Sequence, residues 1–281
     1  MSLVISICVL FYVGFMALLI SGLFKHTELE IKSYETLPSV SVVVAARNEE
    51  GHIPYLINDL ISQEYPLDKL EVIIVNDRST DDTKAILDDA SDNYAFIKVV
   101  TINQVSKDMT PKKYALTRGI EAAVGEIIVL TDADCRVRKL WVSSMAYSVI
   151  SKESISIGFS EINPQHESFF HRYQKIDFLS IVIANAGFSG WGLFWSGTGQ
   201  NLAFFKRDFE KIEGFETQDF AKGTSSAKQY TLSFFRLSLH SHLSHFVVFF
   251  LNIFVRYFCC HHINRPYCIS IPNPVSKCFV L

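Results

Sequence analysis

Short apolar segments alternate with helical segments through the first half of the chain, and this alternation restricts the possible folds more than any other feature. Val40–Ala46 and Leu70–Val75 are rich in β-branched residues and apolar on both faces. Such runs are typical of strands that are buried on both sides of a parallel sheet. Phe96–Thr101 and Glu126–Thr131 continue the series as a third and a fourth strand.

Helical segments separate these strands. Residues 52–63 place their isoleucines and leucines on one face at helical spacing, ahead of Tyr65 and Pro66. Thr110 and Pro111 predict the N-cap and first position of a later helix, which ends at Gly125. Strands and helices alternating at this spacing predict an α/β fold with a doubly wound, mostly parallel sheet.

Polar residues follow the strands at the points where the strands end. They are Asn48 and Glu49 after the first strand, Asp77 after the second, and Asp132 and Asp134 after the fourth. Sheets of this class bind ligands at the carboxyl ends of their strands. We therefore expect these side chains to border one crevice.

Two carboxylates separated by one residue, Asp132 and Asp134, can converge on a single hard divalent cation. Such a cation could bridge the phosphates of a nucleoside diphosphate and offset the charge of that group as it leaves. An isolated aspartate pair in a loop is more often a solvated turn. The position at a strand end favours the metal site.

Three further features allow a functional and a structural interpretation. Asp77 can accept hydrogen bonds from a nucleobase or ribose, or it can serve as a turn residue. Lys112 and Lys113 begin a helix near the same edge, where lysines bind phosphate or remain solvated. The glycine-rich segment Gly197–Asn201 permits close backbone approach to a ligand, or forms a flexible turn.

The N-terminal segment from Ser2 to Phe24 contains no charged residue. A bilayer crossing needs about 20 apolar residues, and the run lacks the basic start of a cleaved signal peptide. We expect a single transmembrane anchor over residues 1–25. Lys25 and Lys32 favour a cytoplasmic location for the body of the protein. The net charge of −3 provides no basic field for nucleic acid.

Four ordered segments carry a family resemblance. They are VSVVVAARNEEGHIPYLINDL, LEVIIVNDRSTDDT, KKYALTRGIEAAVGEIIVLTDADC and SGTGQNLAFFKRDFEKIEGF, at residues 40–60, 70–83, 112–135 and 196–215. In this order and spacing they resemble the family 2 glycosyltransferases of the GT-A fold. The resemblance implies an inverting transfer of a sugar from a nucleotide donor, with Mg2+ or Mn2+, to a glycan or lipid-linked acceptor.

Carried onto this chain, the resemblance implies that Asp77 contacts the nucleotide base. Asp132 would contact ribose or metal, and Asp134 would bind the metal. The glycine-rich segment would border the donor sugar and the acceptor. The full predicted set of nucleotide and substrate contacts is Asn48, Glu49, Asp77, Lys113, Asp132, Gly197, Gly199, Gln200 and Asn201.

The end of the chain departs from the family pattern. The predicted catalytic domain covers residues 38–220, and no aspartate or glutamate follows Asp219 although the chain contains 29. The family's later acidic pair and QxxRW segment are both missing. The remaining candidates for the general base are Glu213, Glu216 and Asp219, of which Asp219 is preferred.

We therefore regard residues 221–281 as an atypical tail. One hypothesis is that the reading frame slips near Gly223. Another is that residues 246–258 associate with a membrane. If the base is missing, the chain is a nucleotide-sugar-binding protein without turnover.

Overall fold

The computed structural model describes residues 2–26, 37–107, 109–162, 168–193, 199–212, 214 and 278–280. These residues form a mixed α/β domain preceded by one helix. Its elements are α1 Ser2–Leu23, β1 Val40–Ala46, α2 Ile53–Ile61, β2 Leu70–Asp77, α3 Thr83–Asn93, β3 Ile97–Ile102, α4 Pro111–Ala122, β4 Ile127–Asp132, α5 Trp141–Lys152, β5 Ser156–Ser160, α6 Phe169–Gly190, β6 Asn201–Phe205, α7 Lys206–Lys211 and β7 Cys278–Val280.

The strands form one twisted series in the order β3-β2-β1-β4-β6-β5, with the short β7 at the edge beside β5. Strands β3, β2, β1 and β4 run parallel to one another. Strand β6 is antiparallel to both β4 and β5. The predicted α/β sheet of mostly parallel strands is confirmed.

Helices cover both faces of the sheet, which explains why the central strands are apolar throughout. Residues Val42 and Ile74 pack on one face with Met145 from α5. On the other face, Val43 packs with Ile120 from α4. All eight residues of β2 are buried. Burying each large aliphatic side chain stabilises the fold by roughly 1.5–3 kcal/mol.

Helix α4 lies unusually close to the sheet at Gly119. A β-carbon on this glycine would come within 2.4 Å of a methyl carbon of Val43 and 2.9 Å of one on Val75. Only a residue without a side chain permits this approach. The contact fixes α4 over β1 and β2, and so helps to fix its N-terminal turn, where Lys112 contacts Asp132 at the end of β4.

A buried carboxylate connects the strands at the end of the sheet where the parallel strands begin. Glu71 accepts hydrogen bonds from the backbone N–H of Val124 at 2.5 Å and of Gly125 at 3.2 Å, and from Nζ of Lys98 at 2.8 Å. It also accepts from the Ser41 hydroxyl. Burial by itself would raise the pKa of Glu71, but these hydrogen bonds outweigh it and lower the pKa. The network joins the turn before β4 to β1, β2 and β3.

The N-terminal helix packs against α6 through glycines. A β-carbon on Gly22 would lie 1.9 Å from the carbonyl oxygen of Gly187, so the two backbones touch. Trp191 donates from its indole nitrogen to the Leu18 carbonyl at 3.0 Å, and Lys25 lies 3.5 Å above the Trp191 ring.

The single-span anchor expected for residues 1–25 is not confirmed, although α1 forms as a helix. In the parts of the chain that the structure describes, no helix combines the length and the hydropathy that crossing a bilayer requires.

The predicted tail lies almost entirely outside the described residues. The one described element in residues 221–281 is β7, which pairs antiparallel with β5. The frame-slip and membrane-association hypotheses therefore stay predictions.

Candidate functional site

The carboxyl ends of β2 and β4 flank the end of β1. Ala46 of β1 is paired with Asn76, and Ala45 is paired with Asp132. Asp77 ends β2 and Asp132 ends β4, so the two carboxylates lie on either side of one strand. Neighbouring strands are about 4.8 Å apart, which puts these two ends about 10 Å apart. A nucleotide can span that separation.

The glycine-rich segment reaches the same edge. Asn201 at the start of β6 is paired with Thr131, the residue before Asp132. The turn at Gly199 and Gln200 therefore comes beside the end of β4. Gly197 lies outside the described residues, as does the candidate base Asp219, and their predicted roles stay predictions.

Asp132 is paired with a lysine from α4. The Lys112 Nζ lies 2.7 Å from Asp132 Oδ1, and the aspartate side chain is 25% exposed. Asp134 lies on the exposed turn two residues further on. The predicted contact set contains Lys113, but Lys112 is the lysine that reaches this acid. Periodicity alone does not tell which of two consecutive lysines faces the sheet.

The residues at the end of β4 fit a divalent cation that is shared with a diphosphate. Asp132 already attracts a positive charge, because the ammonium of Lys112 lies against it. Among the described residues no cluster of three or more His, Cys, Asp or Glu side chains could hold a metal on its own. Mg2+ is commonly held by one or two carboxylates and completes its shell with substrate phosphates and water. Asp132 and Asp134 match that pattern.

The loop after Asp134 is held firmly by α2. Asp59 accepts hydrogen bonds from Arg136 Nε at 2.6 Å, Arg136 Nη2 at 2.8 Å and the Val137 N–H at 3.0 Å. The bonds to Asp59 raise the pKa of Arg136. This support restricts the motion of the acidic turn relative to the sheet.

Asn48 and Glu49 join the loop after β1 to the loop after β2. The Asn48 N–H donates to the Ser79 hydroxyl at 3.1 Å, and Asn48 Oδ1 accepts from the Thr80 N–H at 2.8 Å. The Glu49 N–H donates to the Thr83 hydroxyl at 2.8 Å. These bonds shape the wall of the crevice, and the predicted contacts of both residues with substrate stay predictions.

Asp77 is nearly buried and held by its neighbour. Arg78 donates from Nε to Asp77 Oδ1 at 2.7 Å and from Nη2 to Asp77 Oδ2 at 3.1 Å. The hydrogen bonds to Asp77 raise the pKa of Arg78. Sequence reasoning missed Arg78, because consecutive side chains of an extended segment normally point to opposite faces.

Asn201 is fully buried and bonded within the fold. Its Oδ1 accepts from the Trp141 indole N–H at 2.9 Å, and its Nδ2 donates to the Phe159 carbonyl at 3.0 Å. The side chain thus joins α5, β5 and β6. It reaches no open surface, so its predicted contact with substrate gains no support from the geometry.

A separate surface cavity lies at the amino ends of the strands, away from the edge that contains Asp77, Asp132 and Asp134. Its volume is about 550 Å³, and Leu70, Phe96 and Gly125 contribute to its lining. The charged groups at its base, Glu71 and Lys98, are paired with each other. The edge at Asp77, Asp132 and Asp134 is the better candidate site because it places three carboxylates at the carboxyl ends of neighbouring strands, beside an exposed turn.

A mostly parallel α/β sheet with acidic side chains at the carboxyl ends of its strands defines a nucleotide-binding type of domain. Residues 41–242 match the family described as Glycosyl transferase family 2. The chain belongs to this family.

Curated relatives agree with this assignment. The probable glycosyltransferase YdaM of Bacillus subtilis is 28% identical over 212 residues, which are 74% of this chain and 49% of that protein. A beta-monoglucosyldiacylglycerol synthase of Nostoc is 38% identical over 113 residues, which are 40% of this chain and 23% of that protein. The chain thus spans about half of YdaM and less of the synthase.

Among solved structures, the mannosyltransferase PcManGT of Pyrobaculum calidifontis shares the fold. Its TM-score is 0.51 at 23% identity, with 74% of this chain and 54% of that chain covered. That protein is described in complex with GDP-Man and Mn2+.

Proposed function

We propose that this protein transfers a sugar from a nucleoside diphosphate donor to a glycan or lipid-linked acceptor, with inversion at the anomeric carbon. The observation that carries the proposal is that Asp77, Asp132 and the Gly199–Gln200 turn lie along one edge of the sheet, at the ends of β2 and β4 and the start of β6. Family membership supports the reaction class.

The two ends of the crevice have different roles in this proposal. Asp77 accepts a hydrogen bond from the nucleotide base. Asp132 and Asp134 hold Mg2+ or Mn2+, which neutralises charge on the departing diphosphate when it is bound. Lys112 lies against Asp132 and is within reach of the same phosphates. The Mn2+ and GDP-Man described for PcManGT support the binding of a nucleotide sugar together with a divalent metal.

The remaining predicted residues surround the donor sugar and the acceptor. Gly197, Gly199 and Gln200 border the reacting sugar, and the loop containing Asn48 and Glu49 forms the wall beside Asp77. Asp219 accepts the proton from the acceptor hydroxyl as that oxygen attacks the anomeric carbon.

A lipid acceptor at the cytoplasmic side of a membrane is the version of this function that we favour. The name of the Nostoc relative refers to glycosylation of a diacylglycerol lipid. Large apolar side chains on and after α1 are strongly exposed, including Leu10 at 72%, Phe11 at 78% and Phe24 at 84%. Exposed apolar surface of this kind favours contact with lipid.

Calorimetric titration of the full chain tests the donor site. We expect saturable binding of UDP or GDP that requires Mn2+. Asp134→Asn should weaken it about tenfold or more, because one of two anionic ligands is lost. Asp92→Asn, an exposed carboxylate on α3, is the matched control and should bind as the unaltered chain does. Metal-independent binding, or an unchanged affinity of Asp134→Asn, would contradict the proposal.

Release of nucleotide from a sugar donor tests turnover. Release that is stimulated by a lipid acceptor and abolished by Asp219→Asn supports the transferase with Asp219 as its base. Tight, metal-dependent nucleotide binding without release identifies the alternative, a nucleotide-sugar-binding protein without a working base.

A further inference from the structure

The strand–loop junction at Asp77 and Arg78 has an uncommon backbone. Arg78 has φ of 56°, in the left-handed region that glycine adopts freely and that residues with a β-carbon disfavour. The turn is held from both sides, because the Ser79 N–H donates to Asn76 Oδ1 at 3.2 Å and the Thr80 N–H donates to Asn48 Oδ1 at 2.8 Å.

This backbone brings two consecutive side chains together. The guanidinium of Arg78 donates from two nitrogens to the two oxygens of Asp77, at 2.7 and 3.1 Å. The Asp77 side chain is 7% exposed and that of Arg78 is 22% exposed. Paired forks of this kind fix the plane of a carboxylate as well as its charge.

The paired carboxylate can still bind a ligand. Each carboxylate oxygen has two acceptor positions, and the arginine uses one on each oxygen. Asp77 therefore keeps acceptor capacity for an N–H group. Arg78 keeps N–H donors that the pair does not use, and its side chain is partly exposed. The left-handed backbone of Arg78 is unfavourable for a residue with a β-carbon. The two hydrogen bonds to Asp77 offset part of this cost.

We propose that Arg78 is the positioning residue for the nucleotide base: it fixes the carboxylate of Asp77 in the orientation that accepts the base N–H. This inference rests on the proposed function, because it assumes that a nucleoside diphosphate binds in the crevice. It adds a role for a residue outside the predicted contact set.

The test compares ligands with and without a base. The full chain is titrated with UDP, GDP and pyrophosphate in the presence of Mn2+. Arg78→Gly keeps the backbone conformation and removes the fork. We expect it to raise the Kd of the preferred nucleoside diphosphate about tenfold and to leave the Kd of pyrophosphate within about twofold. Arg78→Lys, which supplies one donor group without the fork, should recover part of the loss.

A double-mutant cycle separates positioning from a general structural effect. If Arg78 acts through Asp77, Arg78→Gly should have no further effect on nucleotide affinity in an Asp77→Asn background. Arg118→Gly, which removes an exposed ion pair with Glu121 on α4, is the control for loss of an arginine.

Three results would overturn the inference while leaving the proposed function in place. In the first, Arg78→Gly leaves the Kd of the nucleoside diphosphate unchanged. In the second, Arg78→Gly raises that Kd as much in the Asp77→Asn background as in the unaltered chain. In the third, Arg78→Gly weakens pyrophosphate binding as much as nucleotide binding. Failure of the unaltered chain to bind either UDP or GDP would instead refute the proposed function, and this inference with it.

Discussion

The indole nitrogen of Trp141 donates a hydrogen bond to Oδ1 of Asn201 at 2.9 Å, and both residues are buried. Trp141 begins α5, and Asn201 is the residue at which the chain enters β6 after the glycine-rich turn. The bond therefore holds the start of α5 against the strand that positions this turn beside Asp132.

Trp141→Phe should destabilise the fold by about 1–3 kcal/mol, because Asn201 Oδ1 would be left buried without a donor. The free energy of unfolding in urea measures the effect. Tyr94→Phe, at a partly exposed ring, is the control and should change stability by less than about 0.5 kcal/mol. Equal stability of the Trp141 variant and the unaltered chain would show that this bond contributes nothing.

Thr131→Val should leave stability unchanged or raise it by about 1 kcal/mol. The Thr131 hydroxyl is buried and has no hydrogen-bond partner among the described residues, whereas valine has the same shape without the polar atom. Thr131→Ser keeps the hydroxyl and removes a methyl group, and should cost about 1 kcal/mol. Thermal unfolding of the two variants measures both effects, and the opposite order would show that the hydroxyl is bonded.

Glu71→Gln should destabilise the protein by about 1–3 kcal/mol at pH 7 and by less at low pH. The pKa of Glu71 is lowered from 4.5, so its stabilising effect is present above that pH and is lost as pH falls through the lower value of the folded state. Urea unfolding at several pH values between 7 and 3 measures the difference between the two proteins.

The exposed Glu121, paired with Arg118, provides the control for this pH series. Glu121→Gln should change stability by no more than about 0.5 kcal/mol at any pH. A difference for Glu71→Gln that grows as pH falls would contradict the lowered pKa.

Gly119→Ala should destabilise the protein by about 1–3 kcal/mol, because the added methyl group would overlap Val43 and Val75. In an exposed helix the same substitution normally stabilises by about 1 kcal/mol, so the sign reports the contact with the sheet. Gly51→Ala, where no atom lies within 4 Å of the added carbon, is the matched control and should be close to neutral. Chemical unfolding of both variants gives the comparison.

Much of the strand pattern could be predicted from the sequence. The apolar runs that begin at Val40 and Leu70 are strands, and β2 extends two residues beyond the predicted end to include Asp77. The prediction that polar residues lie together at one edge of the sheet follows from the alternation of strands and helices along the chain. The contact of Lys112 with Asp132 could not be predicted, because it depends on how α4 is rotated over the sheet.

The sequence alone determined which segments are strands and which polar residues end them, since strand periodicity and turn chemistry are local properties of the chain. Tertiary structure decided that β2 and β4 both lie beside β1, that Arg78 turns back onto Asp77, and that Asn201 is buried against Trp141. These relationships arise from strand order, close helix packing and one left-handed residue. The first and third join residues that are far apart in the sequence, and the second depends on a backbone conformation that hydrogen bonds to Asn48 and Asn76 hold in place.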